Sequence, residues 1–295
     1  MLYWLRQSWT LGRSRRQLAA PSAPLAPASP DSGSLSASAE LLENHFLNHK
    51  LPGRLIIVEG IDGSGKSTQL DLLRKWLVNQ GYLVIFSEWN SSPIVKGITR
   101  LGKRRQLLSP MSFSLIHAAD FASRTHSEIM PALQSGAVVL ADRYVYTAYA
   151  RDAVRGVNRA WLRRLYSFAV EPSLAFYFDV PLEEAMRRIS VGRPELKFYE
   201  AGLDLGLSND PYESFRRFQG LIRQEYECLV NEFGLRRMDA TESLVHQQQR
   251  MREMVRPHLD AAMRLPNLPP ADAWQVASLL GHSQAERRGL LEPGE

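Results

Sequence analysis

Residues 55–69 read LIIVEGIDGSGKSTQ, and positions 60–68 hold three glycines, a lysine and three hydroxyl side chains. The spacing G-x-x-x-x-G-K-S, directly after an apolar run and directly before an amphipathic one, is that of a loop that holds a polyphosphate. Glycines at 60, 63 and 65 let the chain curl so that the main-chain N–H groups of Gly60, Ile61, Asp62, Gly63, Ser64 and Gly65 can face one anion. The helix that follows adds its positive end. Lys66 then reaches the β and γ phosphates of a nucleoside triphosphate, Thr68 closes the loop, and the Ser67 hydroxyl ligates Mg²⁺. A hard cation that keeps most of its water needs only one or two protein oxygens.

A second run, AVVLADRY, delivers Asp142 at the carboxyl end of an apolar strand, where ligands sit in open α/β sheets. Asp142 is therefore expected beside the metal. Arg143 is expected on an acceptor phosphate or the transferring group, since a guanidinium fork matches phosphate oxygens. No Ser/His/Asp arrangement is visible, and the seven histidines lack metal-ligand spacing. An acceptor that is already a phosphate requires no strong base, so the pattern suits phosphoryl transfer to phosphate. Four cations, Arg187, Arg188, Arg193 and Lys197, lie in or before the segment VGRPELKFYEAGLDLGLSND, which reads as a flap that closes over the phosphates. Arg193 is the first choice for catalysis, whereas Arg187 and Arg188 read equally well as a solvated helix end.

Positioning these groups takes a sheet and its helices. Strands are expected at Arg54–Glu59, Tyr82–Ser87, Ala137–Asp142, Leu174–Asp179 and Leu235–Met238, with helices between them. The helices are expected at Lys66–Asn79, Pro110–Gln134, two short ones within 147–170, Leu182–Ile189, Tyr212–Phe233 and Ser243–His258. The alternation is that of an α/β fold with a parallel sheet. Of the 295 residues, 1–50 form an N-terminal extension expected to be disordered, 51–260 the folded domain and 261–295 a C-terminal extension.

The net charge of +5 is misleading, because Arg6, Arg13, Arg15 and Arg16 are the only charged residues among the first thirty. A near-neutral body gives no footprint for nucleic acid, and none is expected as a partner. The run Lys103, Arg104, Arg105 reads as a solvated helix end. Cys228, the single cysteine, reads as a packing residue and excludes an internal disulfide. No apolar stretch approaches the roughly twenty residues that span a bilayer, so no membrane association is expected. The expected compartment is the cytoplasm. The first forty residues, free of acids before Asp31 and ending in PSAPLAPASPDSGSLSAS, allow an organelle matrix as the alternative if they act as a transit peptide.

VEGIDGSGKSTQ, PALQSGAVVLADRY and EPSLAFYFDVPLEEAMRR, in that order and spacing, resemble the thymidylate kinase family, over about Gly53 to His258. The resemblance implies a P-loop NTPase fold with a five-stranded parallel sheet and a lid segment. It implies ATP with Mg²⁺, a nucleoside monophosphate as acceptor, dTMP first, and commonly a homodimer. By that pattern Asp62 faces the acceptor sugar, Arg143 and Tyr144 belong to the acceptor site, and flap cations Arg193 and Lys197 serve a subtype whose loop carries no arginine.

The departures gather in the acceptor pocket. Where the family has Phe-x-Ala-Asp-Arg this chain has His117, Ala118, Ala119, Asp120 and Phe121, and where it has Arg-Glu-Pro-Gly-Gly only Glu88 is kept. The family's Tyr-Gln becomes Arg151 and Asp152. Arg124, one helical turn from Asp120, and Arg151 are the candidate replacements for the lost base contact. His117 and Phe121 each read equally as core residues. Another pyrimidine nucleotide, a non-nucleotide acceptor, or an ATP-binding regulatory protein are the alternatives.

Overall fold

Apolar runs rich in Val, Ile, Leu and Phe suit strands buried on both faces, and helices must then cover both sides of the sheet. The computed structural model describes residues 51–192, 196–259, 262 and 264. Strands β1 (Arg54–Glu59), β2 (Val84–Glu88), β3 (Val138–Asp142), β4 (Leu174–Asp179) and β5 (Arg236–Asp239) pair in parallel in the order β2-β3-β1-β4-β5. All five expected strands are present, with ends shifted by no more than two residues. The central pair β1 and β3 is almost wholly buried. Register places Val58 opposite Asp142 and Glu88 opposite Asp142, so the carboxyl ends of β1, β2 and β3 finish at one level. The chain order reverses on either side of β1, which opens a crevice at those ends.

Helix α1 (Lys66–Asn79) follows β1 and buries Leu70, Leu73, Leu77 and Val78, a stripe at helical spacing. Of helix α2 (Pro93–Arg104) the sequence reading anticipates only the basic end at Lys103 and Arg104. Its apolar stripe, Ile94, Ile98 and Leu101, faces outward, its buried face is Val95, Thr99 and Gly102, and Gly97 lowers its helix propensity. The expected long helix is broken into α3 (Pro110–Arg124), a π-helical turn at Thr125–Ile129, and α4 (Met130–Gln134). Pro131 supplies no N–H and crowds the carbonyl four residues back, so the turn before it widens.

After β3 come α5 (Val145–Val154) and α6 (Arg159–Leu165), and after β4 comes α7 (Leu182–Gly192). The described part of the flap, 196–210, is not bare loop. Tyr199 and Ala201 are buried, a 3₁₀ turn spans Leu203–Leu205, and Ala201 joins Ile189 and Phe215 in a small second apolar cluster. Helix α8 (Pro211–Phe233), capped by Asp210, then returns along α5, and α9 (Leu244–Val255) closes against α1. Cys228 is exposed on α8 rather than packed, a correction to the sequence reading. Among the described residues no helix is long and apolar enough to cross a membrane.

Candidate active site

The glycines of the first motif are dictated by space. Gly60 and Gly63 have φ of +147° and +83°, and a Cβ on Gly63 would lie 2.6 Å from the Ala185 carbonyl oxygen. A Cβ on Gly60 would meet the Phe178 carbonyl oxygen at 2.8 Å, so no other residue fits either position. The loop therefore presses onto the start of α7 and the end of β4. Lys66 opens α1 and is buried at the loop's mouth. Burial and the neighbouring Arg143 lower its ammonium to about 8, against the pull of Asp142 and Asp62.

Asp62 is the hub between the two motifs. Its N–H donates to Gln219 Oε1 at 3.1 Å, and its carboxylate accepts from Arg143, from Arg151 at 2.6 Å and from Gln219 Nε2 at 3.3 Å. Burial alone would raise this acid, but Arg151, Arg143 and Lys66 outweigh it and hold it far below the usual carboxylate range.

Arg143 sits at φ +71°, a left-handed turn that an arginine adopts only where the surroundings enforce it. Its N–H donates to Val58 O at 3.2 Å, and the turn sends its guanidinium back to Gly60 O at 3.2 Å and Thr147 Oγ at 3.3 Å. Glu59, fully buried at the end of β1, fixes the other side of that turn. Its carboxylate accepts from the Tyr144 and Thr147 N–H groups at 2.7 and 3.1 Å, and from the Thr147 and Tyr226 hydroxyls at 2.6 and 2.7 Å. It thereby caps α5, whose own first residues supply no cap. Asp142 Oδ1 is buried without a hydrogen-bond partner in the wall that also holds Ser67. One hydroxyl and one unsatisfied carboxylate oxygen beside a phosphate loop suit Mg²⁺, which takes its remaining ligands from phosphates and water.

These groups line a cavity of about 770 Å³. Of the expected site residues, Asp62, Gly63, Gly65, Lys66, Ser67, Thr68, Glu88, His117, Asp142, Arg143, Arg151 and Lys197 face it. Gly60, Ile61 and Ser64 form the inner side of the loop, with Ile61 and Ser64 buried beneath it. Arg193 lies outside the described residues.

Three expected acceptor contacts do not reach the cavity. Phe121 is a core ring, packed against Tyr144 at 4.9 Å and Tyr166 and Phe168 at 5.6 Å. Tyr144 is likewise core, its hydroxyl donating to Val170 O at 2.8 Å. Arg124 is fully buried behind the wall, bonded to Asp120 at 2.9 Å and Ser87 Oγ at 2.8 Å, with its guanidinium 5.5 Å from the Trp89 ring. Asp120 in turn accepts from the Asn90 and Ser92 N–H groups at 3.1 and 2.9 Å. Asp120 and Arg124 thus form a clamp on the turn after β2, and Trp89 is what that clamp presents to the cavity. Trp89 and Phe113 flank His117 at centroid distances of 5.6 and 4.2 Å. Burial, then Lys103, Arg155 and Arg151, push His117 well below the usual imidazole value, so the ring is neutral; its Nε2 has no partner.

Several lining residues escape the sequence reading. Arg187 and Arg188 both pair with Glu184 but divide: Arg187 stays outside, while Arg188 lies over the loop, reaching Ala240 O at 2.9 Å and Gly63 O at 3.4 Å. They stand mid-helix, and a period of 3.6 residues puts neighbours on different faces. Lys103 and Arg104 form the helix end expected of them and Arg104 is exposed, but both line the cavity and Lys103 is half-buried there, which corrects the reading of that end as merely solvated. Helix α2, whose apolar stripe of Ile94, Ile98 and Leu101 faces outward, places them there. Arg155 anchors the flap, bonded to Asp204 at 2.7 Å and Tyr199 O at 2.9 Å.

The thymidylate kinase family model matches residues 58–252. Among curated relatives, "Probable thymidylate kinase 2" of Saccharolobus solfataricus is 46% identical over 181 residues, which cover 61% of this chain and 84% of the relative. "Probable thymidylate kinase" of Thermococcus gammatolerans is 40% identical over 147 residues, 47% of this chain and 71% of the relative. "Thymidylate kinase" of a Thermoanaerobacter species is 31% identical over 197 residues, 63% and 88% respectively.

Proposed function

This chain belongs to the thymidylate kinase family, and from that premise we propose that it moves the γ-phosphoryl group of ATP to dTMP, giving ADP and dTDP. The observation that carries the reading is the meeting of Lys66, Asp142, Arg143 and Asp62 at one cavity wall. In the reaction the bond from the γ-phosphorus to the bridging oxygen breaks, and a bond to an oxygen of the acceptor phosphate forms. The acceptor oxygen is already anionic, so the protein's task is alignment and charge neutralisation. Lys66 neutralises the β and γ oxygens, Arg188 holds the donor side from α7, and Arg143 orients the acceptor phosphate while Asp62 fixes that guanidinium. Ser67 and Asp142 hold Mg²⁺, which adds neutralising charge at the donor phosphates when bound. Arg193 and Lys197 of the flap complete the cationic shell.

Residues 51–260 carry this activity, with 1–50 and 261–295 as extensions. The compartment is the cytoplasm, or an organelle matrix if residues 1–40 direct it there. A homodimer is the expected assembly, supported by the exposed Ile94, Ile98 and Leu101 of α2 beside Met111 and Leu115 of α3.

Purified protein with Mg-ATP and a panel of dTMP, dUMP, dCMP and dAMP tests the reading. ADP release stimulated most by dTMP is expected. Release stimulated best by another acceptor reassigns the substrate, and ATP binding without acceptor-dependent release supports a regulatory role instead.

A further inference from the structure

The side of the cavity away from the phosphate loop is aromatic, built from Trp89, Phe113, His117 and Tyr199. The residue expected to read the base there, at position 121, is a phenylalanine sunk in the core. Another donor must do this work, and the cations at this end of the cavity are Lys103, Arg151 and Arg155 with the exposed Arg104 and Lys197, of which only the first three are held at least half-buried against the wall. Arg155 is tied to Asp204 and Tyr199 O, and Arg151 is drawn by its Nη2 to Asp62 at the phosphate loop, with its Nε left unpartnered. Lys103 differs. Its Nζ lies 5.1 Å from the centre of the Phe113 ring, and among the described residues no carboxylate lies within ion-pair distance of it.

Resting on the reading above, we propose that Lys103 is the residue that reads the acceptor base, its ammonium donating to the O4 carbonyl oxygen of a 2,4-dioxopyrimidine. The charges around it argue for such a partner. Arg151 on α5, Arg155 just past its end and Lys197 in the flap are cations that face it, His117 on α3 is neutral, and Glu200 is the acid that opposes them. Burial and these cations bring Lys103 down to about 8. An ammonium held in that state gains from any oxygen brought to it. A 4-aminopyrimidine offers N–H donors at the corresponding edge and would leave the cation unpaired, so the same residue that binds a dioxo base rejects an amino one. His117, with Nε2 unpartnered, adds a neutral hydrogen-bonding group suited to the ring N–H beside the carbonyl.

The test compares wild type, Lys103→Met, which keeps the aliphatic stem over Phe113, and Lys103→Arg, which keeps the charge. Kinetics with dTMP and dCMP at saturating Mg-ATP are paired with direct calorimetric binding of each monophosphate. Lys103→Met is expected to raise KM and Kd for dTMP about 10-fold, the worth of one hydrogen bond from a charged donor, and to shrink the preference for dTMP over dCMP by the same factor. Its kcat and KM for ATP stay within about 2-fold of wild type, and Lys103→Arg restores most of the preference. An unchanged dTMP/dCMP ratio in Lys103→Met overturns the assignment and leaves Arg151 as the reader. A loss confined to kcat overturns it too, since that marks a role in transfer. If wild type binds dTMP without turning it over, the transfer reading fails while the binding ratio still decides Lys103; if it binds neither monophosphate, both fail.

Discussion

Two buried side chains show how a residue's surroundings decide its work. Lys66 is charged below about pH 8 and neutral above it, because burial and Arg143 disfavour the ammonium in the free protein. Phosphates reverse that balance by supplying negative charge. With dTMP saturating, kcat/KM for ATP should therefore fall as pH rises through about 8, while kcat, which reports the bound state, stays level to higher pH. Lys66→Ala should remove this limb and lower kcat about 100-fold or more. A kcat/KM flat from pH 7 to 10 would remove Lys66 from the donor site. Phe121 makes the opposite case. Restoring the family's arginine by Phe121→Arg would put an unpaired guanidinium among Tyr144, Tyr166 and Phe168 beside the existing Arg124. The expected result is a lower thermal midpoint, a loss of about 4 kcal/mol, with no gain in dTMP affinity. Tighter dTMP binding at an unchanged midpoint would show that the wall is rebuilt around that position.

Elements differ in how much of themselves the sequence discloses, and the reason is which face is buried against what. β1 and α1 are readable because the strand is apolar from Leu55 to Val58 and the helix carries a full stripe from Leu70 to Val78, with the glycine loop marking the junction. α2 misleads instead, since its apolar stripe of Ile94, Ile98 and Leu101 stands outside while its buried face is Val95, Thr99 and Gly102. Its basic end is legible, but nothing in the sequence shows that Lys103 turns into the site. In the same way the chain announces Asp142 and Arg143 by motif, but nothing near position 59 announces that Glu59 caps α5 from across the sheet. Glu59 holds four donors, two of them main-chain N–H groups at the turn that aims Arg143. Glu59→Ala should leave those donors buried and unpaired, costing about 3 kcal/mol or more. It should also depress kcat, because the left-handed turn at Arg143 loses its support. Denaturant unfolding together with steady-state kinetics checks both effects; a stable variant with normal kcat would show that the turn is held without the cap.

Charge at the scale of the whole molecule is distributed in a way that a count along the chain hides. Beyond the first thirty residues the sequence is nearly balanced, 32 basic residues against 31 acidic. The cavity is not balanced: Lys66, Lys103, Arg104, Arg143, Arg151, Arg155, Arg188 and Lys197 face it with Asp62, Glu88, Asp142 and Glu200. The excess of cations is therefore local, and it is drawn from every layer of the fold: the loop after β1, α2, the end of β3, α5, α7 and the flap. Two polyanions must enter together, and a basic cleft in a neutral body attracts both without making the outer surface sticky toward other polyanions. Screening acts on that attraction over about 10 Å at 0.1 M salt and about 3 Å at 1 M. Raising KCl from about 0.05 M to 0.5 M should then lower kcat/KM for both ATP and dTMP several-fold, with the larger effect on ATP, whose charge is greater. The value of kcat should change little, because the interactions at short range inside the closed cavity are poorly screened. If kcat fell in step with kcat/KM, salt would be acting on closure of the flap, through the Arg155 to Asp204 pair that ties it to α5, and the field of the cavity would not be what draws the substrates in.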